Sequence, residues 1–191
     1  MPLIDQVVET FEKFDPPKCV DLVITDGDDT LFPHESPEPY IDSLEYLKSL
    51  HAAQVLLVSG NPNESLAQER AESISASAYF IPPKRPRWLK YGLFMAACNY
   101  ALEHSDSVDD AVIMGNRWCM DIAVAKLALV TKKIATVEGV LVTRDSTHRE
   151  TFDRILIDPV QYVGASAVKS VGLDVHFRPR KNVASILEKD K

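Results

Sequence analysis

The chain has 191 residues, 46% of them hydrophobic and 26% charged, with a formal net charge of −7. That length buries a sizeable core without staples, and the composition is that of an ordinary globular domain. The acidic balance argues against nonspecific nucleic-acid binding, which uses a basic surface, so no nucleic-acid partner is expected.

Three cysteines (Cys19, Cys98 and Cys119) lack any Cys-x-x-Cys spacing and read as free thiols of a reducing compartment. Residues 1–14 carry acids and no arginine, unlike a secretory signal or a transit peptide. No apolar run approaches the ~18 residues that span a bilayer. The expectation is an intracellular, cytoplasmic protein, with an organelle matrix as the other compartment these features allow.

In chain order, Leu3, Ile4, Val7, Val8, Phe11 and Phe14 stand at helical spacing, which predicts an amphipathic helix over 3–14, closed by Pro16-Pro17. Leu22, Val23 and Ile24 form a short, β-branched run too short for a helix, read as a buried strand. Asp26-Gly27-Asp28-Asp29-Thr30 breaks it. Crowded carboxylates repel one another unless a cation sits among them, and a hard, oxygen-loving Mg²⁺ suits them. Asp26 and Asp28, two apart, would point the same way on an extended backbone, one as nucleophile and one as proton carrier. Equally, Asp-Gly-Asp-Asp is good turn chemistry. A calcium loop starting at Asp26 fails, because Leu31 and Pro37 occupy the positions of its glycine and bidentate glutamate.

Residues 32–39 hold three prolines and stay a loop. A helix is predicted over 40–50, a strand over 54–58 ending at Ser59-Gly60-Asn61, and a helix with a polar, acidic exterior over 62–74. A weaker strand covers 77–81 before Pro82-Pro83-Lys84, and a helix covers 88–102. A strand over 111–114 leads into Gly115-Asn116-Arg117, then a helix over 119–129 and a fifth strand over 133–137. The tail, 140–191, holds a helix or two and the basic patch Arg178-Pro179-Arg180-Lys181. Strict alternation of strand and helix predicts one α/β domain over 1–191, core about 20–137, with a doubly wound, three-layer sandwich around a mostly parallel five-stranded sheet.

In such a sheet the ligand sits outside the carboxyl ends of the strands. The groups gathered there are Asp26, Asp28 and Thr30; Ser59, Gly60 and Asn61; Lys84; and Asn116 and Asp121. Four of the five predicted strands thus end in residues suited to a phosphate and a divalent cation, and turn preference does not account for a lone lysine and a hydroxyl.

In these residues the chain resembles a haloacid dehalogenase superfamily phosphatase. Asp26-Gly27-Asp28-Asp29-Thr30 is similar to the family's Asp-x-Asp-x-Thr motif, 55–59 to its apolar strand ending in Ser or Thr, Lys84 to its lysine, and Gly115 to Asp121 to its Gly-Asp followed by a further Asp. The resemblance implies that Asp26 takes the phosphoryl group and that Asp28 protonates the leaving oxygen and activates water. Ser59, Gly60 and Lys84 would bind phosphate. Asp26, Asp28, Asn116 and Asp121 would hold Mg²⁺, and Thr30 would organise the loop. Asn116 departs from the family's acidic residue, and a neutral amide in its place lowers affinity for a hard cation. That departure leaves a catalytically impaired, phosphate-binding or regulatory module as the alternative function.

The intervals between Thr30, Ser59 and Lys84 are too short for a large cap domain. That layout resembles the capless IIIA group, which includes YqeG-type proteins and phosphatidylglycerophosphate phosphatases, and residues 143–155 resemble that group's tail. The implied partner is a phosphorylated lipid head group or small molecule, with peripheral membrane contact. Asn61, Arg85 and Arg117 are candidate substrate contacts, Arg87 stands with them, and His34, Trp88 and Cys119 read as structural. A receiver domain fits less well, since its phosphorylated Asp would fall at Pro82-Pro83-Lys84.

Overall fold

A computed structural model describes residues 4–13, 18–82, 90–105, 107–132 and 134–144, with side chains excepted at 90, 91 and 118–120. Lys84, Arg85, Arg87, Trp88, the Cys119 side chain, the end of the expected first helix and the tail beyond 144 lie outside the described residues.

The strands are β1 (Gln6–Val8), β2 (Leu22–Asp26), β3 (Gln54–Val58), β4 (Ala78–Phe80), β5 (Asp110–Gly115) and β6 (Thr136–Val142). The helices are α1 (Ile41–Ser49), α2 (Glu64–Ser73), α3 (Lys90–His104) and α4 (Val124–Thr131), the last preceded by a π-helical segment, Trp118–Ala123. All six strands pair in parallel, in the order β1-β6-β5-β2-β3-β4. Among the described residues, the expected five-stranded, mostly parallel sheet is therefore corrected to a six-stranded, wholly parallel one.

Covered faces explain the sequence of the central strands. β2 is buried at all five positions and β5 at all but its first, as parallel strands packed between helices must be. Leu22, Ile24, Leu56 and Val58 face α3 and α4 with Phe94, Cys98, Ala125 and Leu129. Val23, Leu57, Val112 and Met114 face α1 and α2 with Tyr46, Leu47, Ala71 and Ile74. Burial pushes the Cys98 thiol up to about 12, so it is an inert core residue. The chain runs from β2 outward through β3 to β4, then returns across the sheet to β5 and β6. That reversal places a topological switch point at the carboxyl end of β2.

The expected amphipathic helix over 3–14 is corrected as well. Residues 6–8 form β1, in register with 140–142 of β6. The helical spacing of Ile4, Val7, Val8 and Phe11 is real. However, the open edge of β6 offers unpaired backbone groups, and β-branched Val7 and Val8 suit a strand that packs on both faces. Asp5 anchors the turn into β1, accepting from Gly139 N–H at 2.6 Å and pairing with the buried Lys126 of α4. Phe11 then stacks on Tyr46 of α1, ring centroids 4.5 Å apart.

β6 begins three residues later than the expected fifth strand and runs to Val142. No helix among the described residues is long and apolar enough to cross a membrane. Between β2 and β3 stand one loop and α1, and between β3 and β4 only α2.

Candidate active site

Asp26 is the last residue of β2 and is 1% exposed. Its Oδ1 accepts from Gly27 N–H at 2.8 Å, and its Oδ2 from the Thr30 hydroxyl at 3.4 Å. The chain turns directly after it. Gly27 C=O accepts from the N–H groups of Thr30, Leu31 and Phe32 at 3.0–3.3 Å, and Asp29 sits at φ 58°, the left-handed region that Asp tolerates. Asp28 therefore stands on a turn, not on an extended strand, and its carboxylate is tied differently from that of Asp26. The extended backbone expected from their spacing is thus replaced by a turn.

Asp28 Oδ1 accepts from Arg70 Nη2 at 2.8 Å and from Glu35 N–H at 3.3 Å, with His34 Nδ1 at 3.9 Å. Arg70, on α2, has a fully buried side chain. Nothing in the residues around Asp28 announces it. Even so, Ala67, Arg70, Ala71 and Ile74 fall at the i, i+3, i+4, i+7 positions of one helix face, and a lone arginine on a buried stripe is a signal of a specific partner.

On one side of this loop lies the end of β3. Gly27 N–H donates to Val58 C=O at 3.0 Å, and a Cβ built on Gly27 would stand 3.7 Å from that of Ser59. Ser59 is buried, and its hydroxyl oxygen accepts from Asn61 N–H at 3.1 Å. Asn61 Oδ1 accepts from Asn63 N–H, and Asn63 Oδ1 caps α2 by accepting from Leu66 N–H at 3.3 Å. Gly60 and Asn61, both half-buried, thus form a fixed approach to the helix.

On the other side lies the end of β5. Asn116 Nδ2 donates to the backbone carbonyl of Asp28 at 3.1 Å. Asp121 is fully buried, and its Oδ2 accepts from Arg117 N–H at 3.0 Å, fixing the entry of the π-helical segment. Gly115 is required there, because a Cβ would meet Asp121 Cβ at 2.5 Å and its Oδ2 at 2.8 Å. Arg117 is half-buried at the same rim.

The structure thus brings Asp26, Asp28, Ser59, Gly60, Asn61, Asn116, Arg117 and Asp121 to the carboxyl ends of three adjacent strands. Lys84 and Arg85 lie outside the described residues. Among those described, no three His, Cys, Asp or Glu side chains gather as a metal cluster. Oxygen donors of other kinds are present, however. Asn116 Oδ1 is buried with no hydrogen-bond partner among the described residues, beside the Asp28 carbonyl and at the rim that carries Asp26 and Asp121. A neutral oxygen, a peptide carbonyl and carboxylates suit a hard cation such as Mg²⁺, so the donor set fits one.

Compared with models of protein families, with curated proteins and with solved structures, the chain finds no match.

Proposed function

We propose that this chain is a phosphomonoester hydrolase of the haloacid dehalogenase type, working through a phosphoaspartyl intermediate on Asp26. One observation supports this above the others: a buried carboxylate ends the central strand at the switch point, with Ser59 after β3 on one flank and Asn116 and Asp121 after β5 on the other.

In the proposed reaction an oxygen of Asp26 attacks phosphorus as the bond from phosphorus to the ester oxygen breaks. The proton on Asp28 goes to that departing oxygen. Water then passes a proton to the Asp28 carboxylate while its oxygen attacks the same phosphorus. The bond from phosphorus to Asp26 breaks, inorganic phosphate leaves, and both aspartates return to their starting forms. Phosphoryl transfer needs alignment and neutralisation of the equatorial oxygens more than covalent chemistry. The Ser59 hydroxyl, whose oxygen already accepts a bond, has its hydrogen to donate to such an oxygen. Mg²⁺, held by Asp26, the Asp28 carbonyl, Asn116 and Asp121, would supply positive charge to the phosphate oxygens.

With only α1 and α2 inserted between β2 and β4, the rim suits a phosphate on a bulky head group. A phospholipid such as phosphatidylglycerophosphate is the substrate we propose first, a smaller phosphomonoester second. One observation favours the other reading, a phosphate-binding or regulatory module without turnover: Asn116 brings no charge, and its amide already bonds the Asp28 carbonyl.

The separating experiment is hydrolysis of p-nitrophenyl phosphate in Mg²⁺. Turnover that disappears in Asp26→Asn is the expected result. Calorimetric binding of Mg²⁺ and phosphate without turnover would move the conclusion to the second reading.

A further inference from the structure

Arg70 is a fully buried charged group beside this site that the reaction above does not use. Its side chain is fully buried, a placement that costs several kcal/mol for an ion unless partners compensate. Those partners all come from one short segment. Nη2 donates to Asp28 Oδ1 at 2.8 Å and to Pro33 C=O at 3.2 Å, and Nε donates to Ser36 C=O at 2.7 Å. The Phe32 ring lies 4.9 Å from the guanidinium carbon. The remaining group, Nη1, is buried with no hydrogen-bond partner among the described residues, and it lies 3.4 Å from where a Gly27 Cβ would be.

Packing alone does not call for this residue. On the stripe of Ala67, Ala71 and Ile74 an apolar side chain would fill the space without desolvating a charge. What an arginine adds is a rigid fork, which can hold a carboxylate and two carbonyls in fixed relation. The fork ties Asp28 to the Pro33 and Ser36 carbonyls of the loop that follows it.

We infer that Arg70 is a positioning residue: it fixes Asp28 by Oδ1 and so reserves Oδ2 as the oxygen that carries the travelling proton. This rests on the phosphatase reading. With Oδ1 engaged by Arg70 and by Glu35 N–H, Asp28 cannot turn its two oxygens interchangeably toward the substrate. Proton delivery then comes from one atom in one place, and misplacement by about 1 Å is enough to cost ~10²-fold.

The test uses Arg70→Lys, which keeps the charge and loses the fork, assayed on two phosphates. p-Nitrophenolate leaves without a proton, whereas an alkoxide such as that of glycerol phosphate needs one. kcat/KM reports the steps up to leaving-group departure. It should therefore fall by ~10²-fold on glycerol phosphate and by less than ~10-fold on p-nitrophenyl phosphate, the general-acid share being lost only on the first. kcat on p-nitrophenyl phosphate should fall further than its kcat/KM, because the second step still needs a placed base. Equal losses in kcat/KM on both substrates, or none on either, overturn the positioning role while leaving the phosphatase reading intact. If the parent protein hydrolyses neither substrate, that reading falls and takes this inference with it. Should Arg70→Lys be recovered unfolded, Phe32→Leu decides: by removing the ring beneath the guanidinium it should shift the same selectivity by a smaller factor, and an unchanged selectivity refutes the inference.

Discussion

Asn116→Asp puts the charge that the resemblance expects into the site, and its consequence can be worked out. In the parent, Nδ2–H and the Asp28 carbonyl oxygen are 3.1 Å apart as donor and acceptor. In the variant two oxygens face each other there, one of them charged and neither with a proton between. Losing the bond and leaving a partly buried acceptor unsatisfied costs ~2 kcal/mol. For a chain of this size that lowers Tm by about 4–8 °C when measured in a chelator. A divalent cation held by these oxygen ligands would reverse the sign. Ligand at a hundred times its Kd stabilises by ~2.7 kcal/mol, and the added carboxylate lowers that Kd. Thermal unfolding across a Mg²⁺ titration should therefore show the variant below the parent without metal and level with or above it at saturation. Turnover should reach half its maximum at lower Mg²⁺. A variant that matches the parent in chelator, or that gains no more from Mg²⁺ than the parent does, would refute the placement of the ion beside Asn116.

Two further outcomes follow, one from packing at the metal-side rim and one from the opposite end of β2. Gly115→Ala forces a Cβ against that of Asp121, an atom too close to the backbone to swing aside; the cost should be ~1–3 kcal/mol in urea unfolding, and an unchanged midpoint would mean that the π-helical segment yields freely. At the opposite end of β2, the N–H groups of Asp109 and Asp110 bond Asp21 Oδ2 at 2.8 and 3.0 Å and hold its carboxyl below the ordinary carboxylate range. A depressed folded value means that the unfolded chain takes the proton first. The stability Asp21 contributes is therefore present above its unfolded value near pH 4 and is lost as pH falls through the folded one. Asp21→Asn should flatten the fall in stability across that acidic window, and parallel curves would count against the linkage.

What the sequence made legible follows from which contacts are local. β2, β3 and β5 are apolar runs buried on both faces, so composition alone marks them. Their polar ends could be placed on one rim because parallel strands share a direction. β1 could not be found this way: the partner that turns residues 6–8 into a strand is 134 positions away, and their spacing suits a helix. β6 carries Glu138 and Gly139 within its apolar run, so its course to Val142 is not marked by an unbroken apolar stretch. At the site, Asp26, Ser59 and Asn116 are visible at strand ends, and Asp121 shortly after one. The clamp on Asp28 was not, because its arginine sits on a helix whose outer face is polar and only the buried stripe distinguishes it.

The late completion of the sheet edge has a bearing on how this protein is made. β2 must wait for β5, nearly ninety residues on, before it is flanked on both sides. The first strand waits longer, since its docking ledge is among the last parts of the sheet to be synthesised. Until then β1, with its two adjacent valines, has no neighbouring strand to satisfy its backbone groups. Closing so wide a loop is slow, so β1 carries that hazard until β6 has been made and the two strands pair.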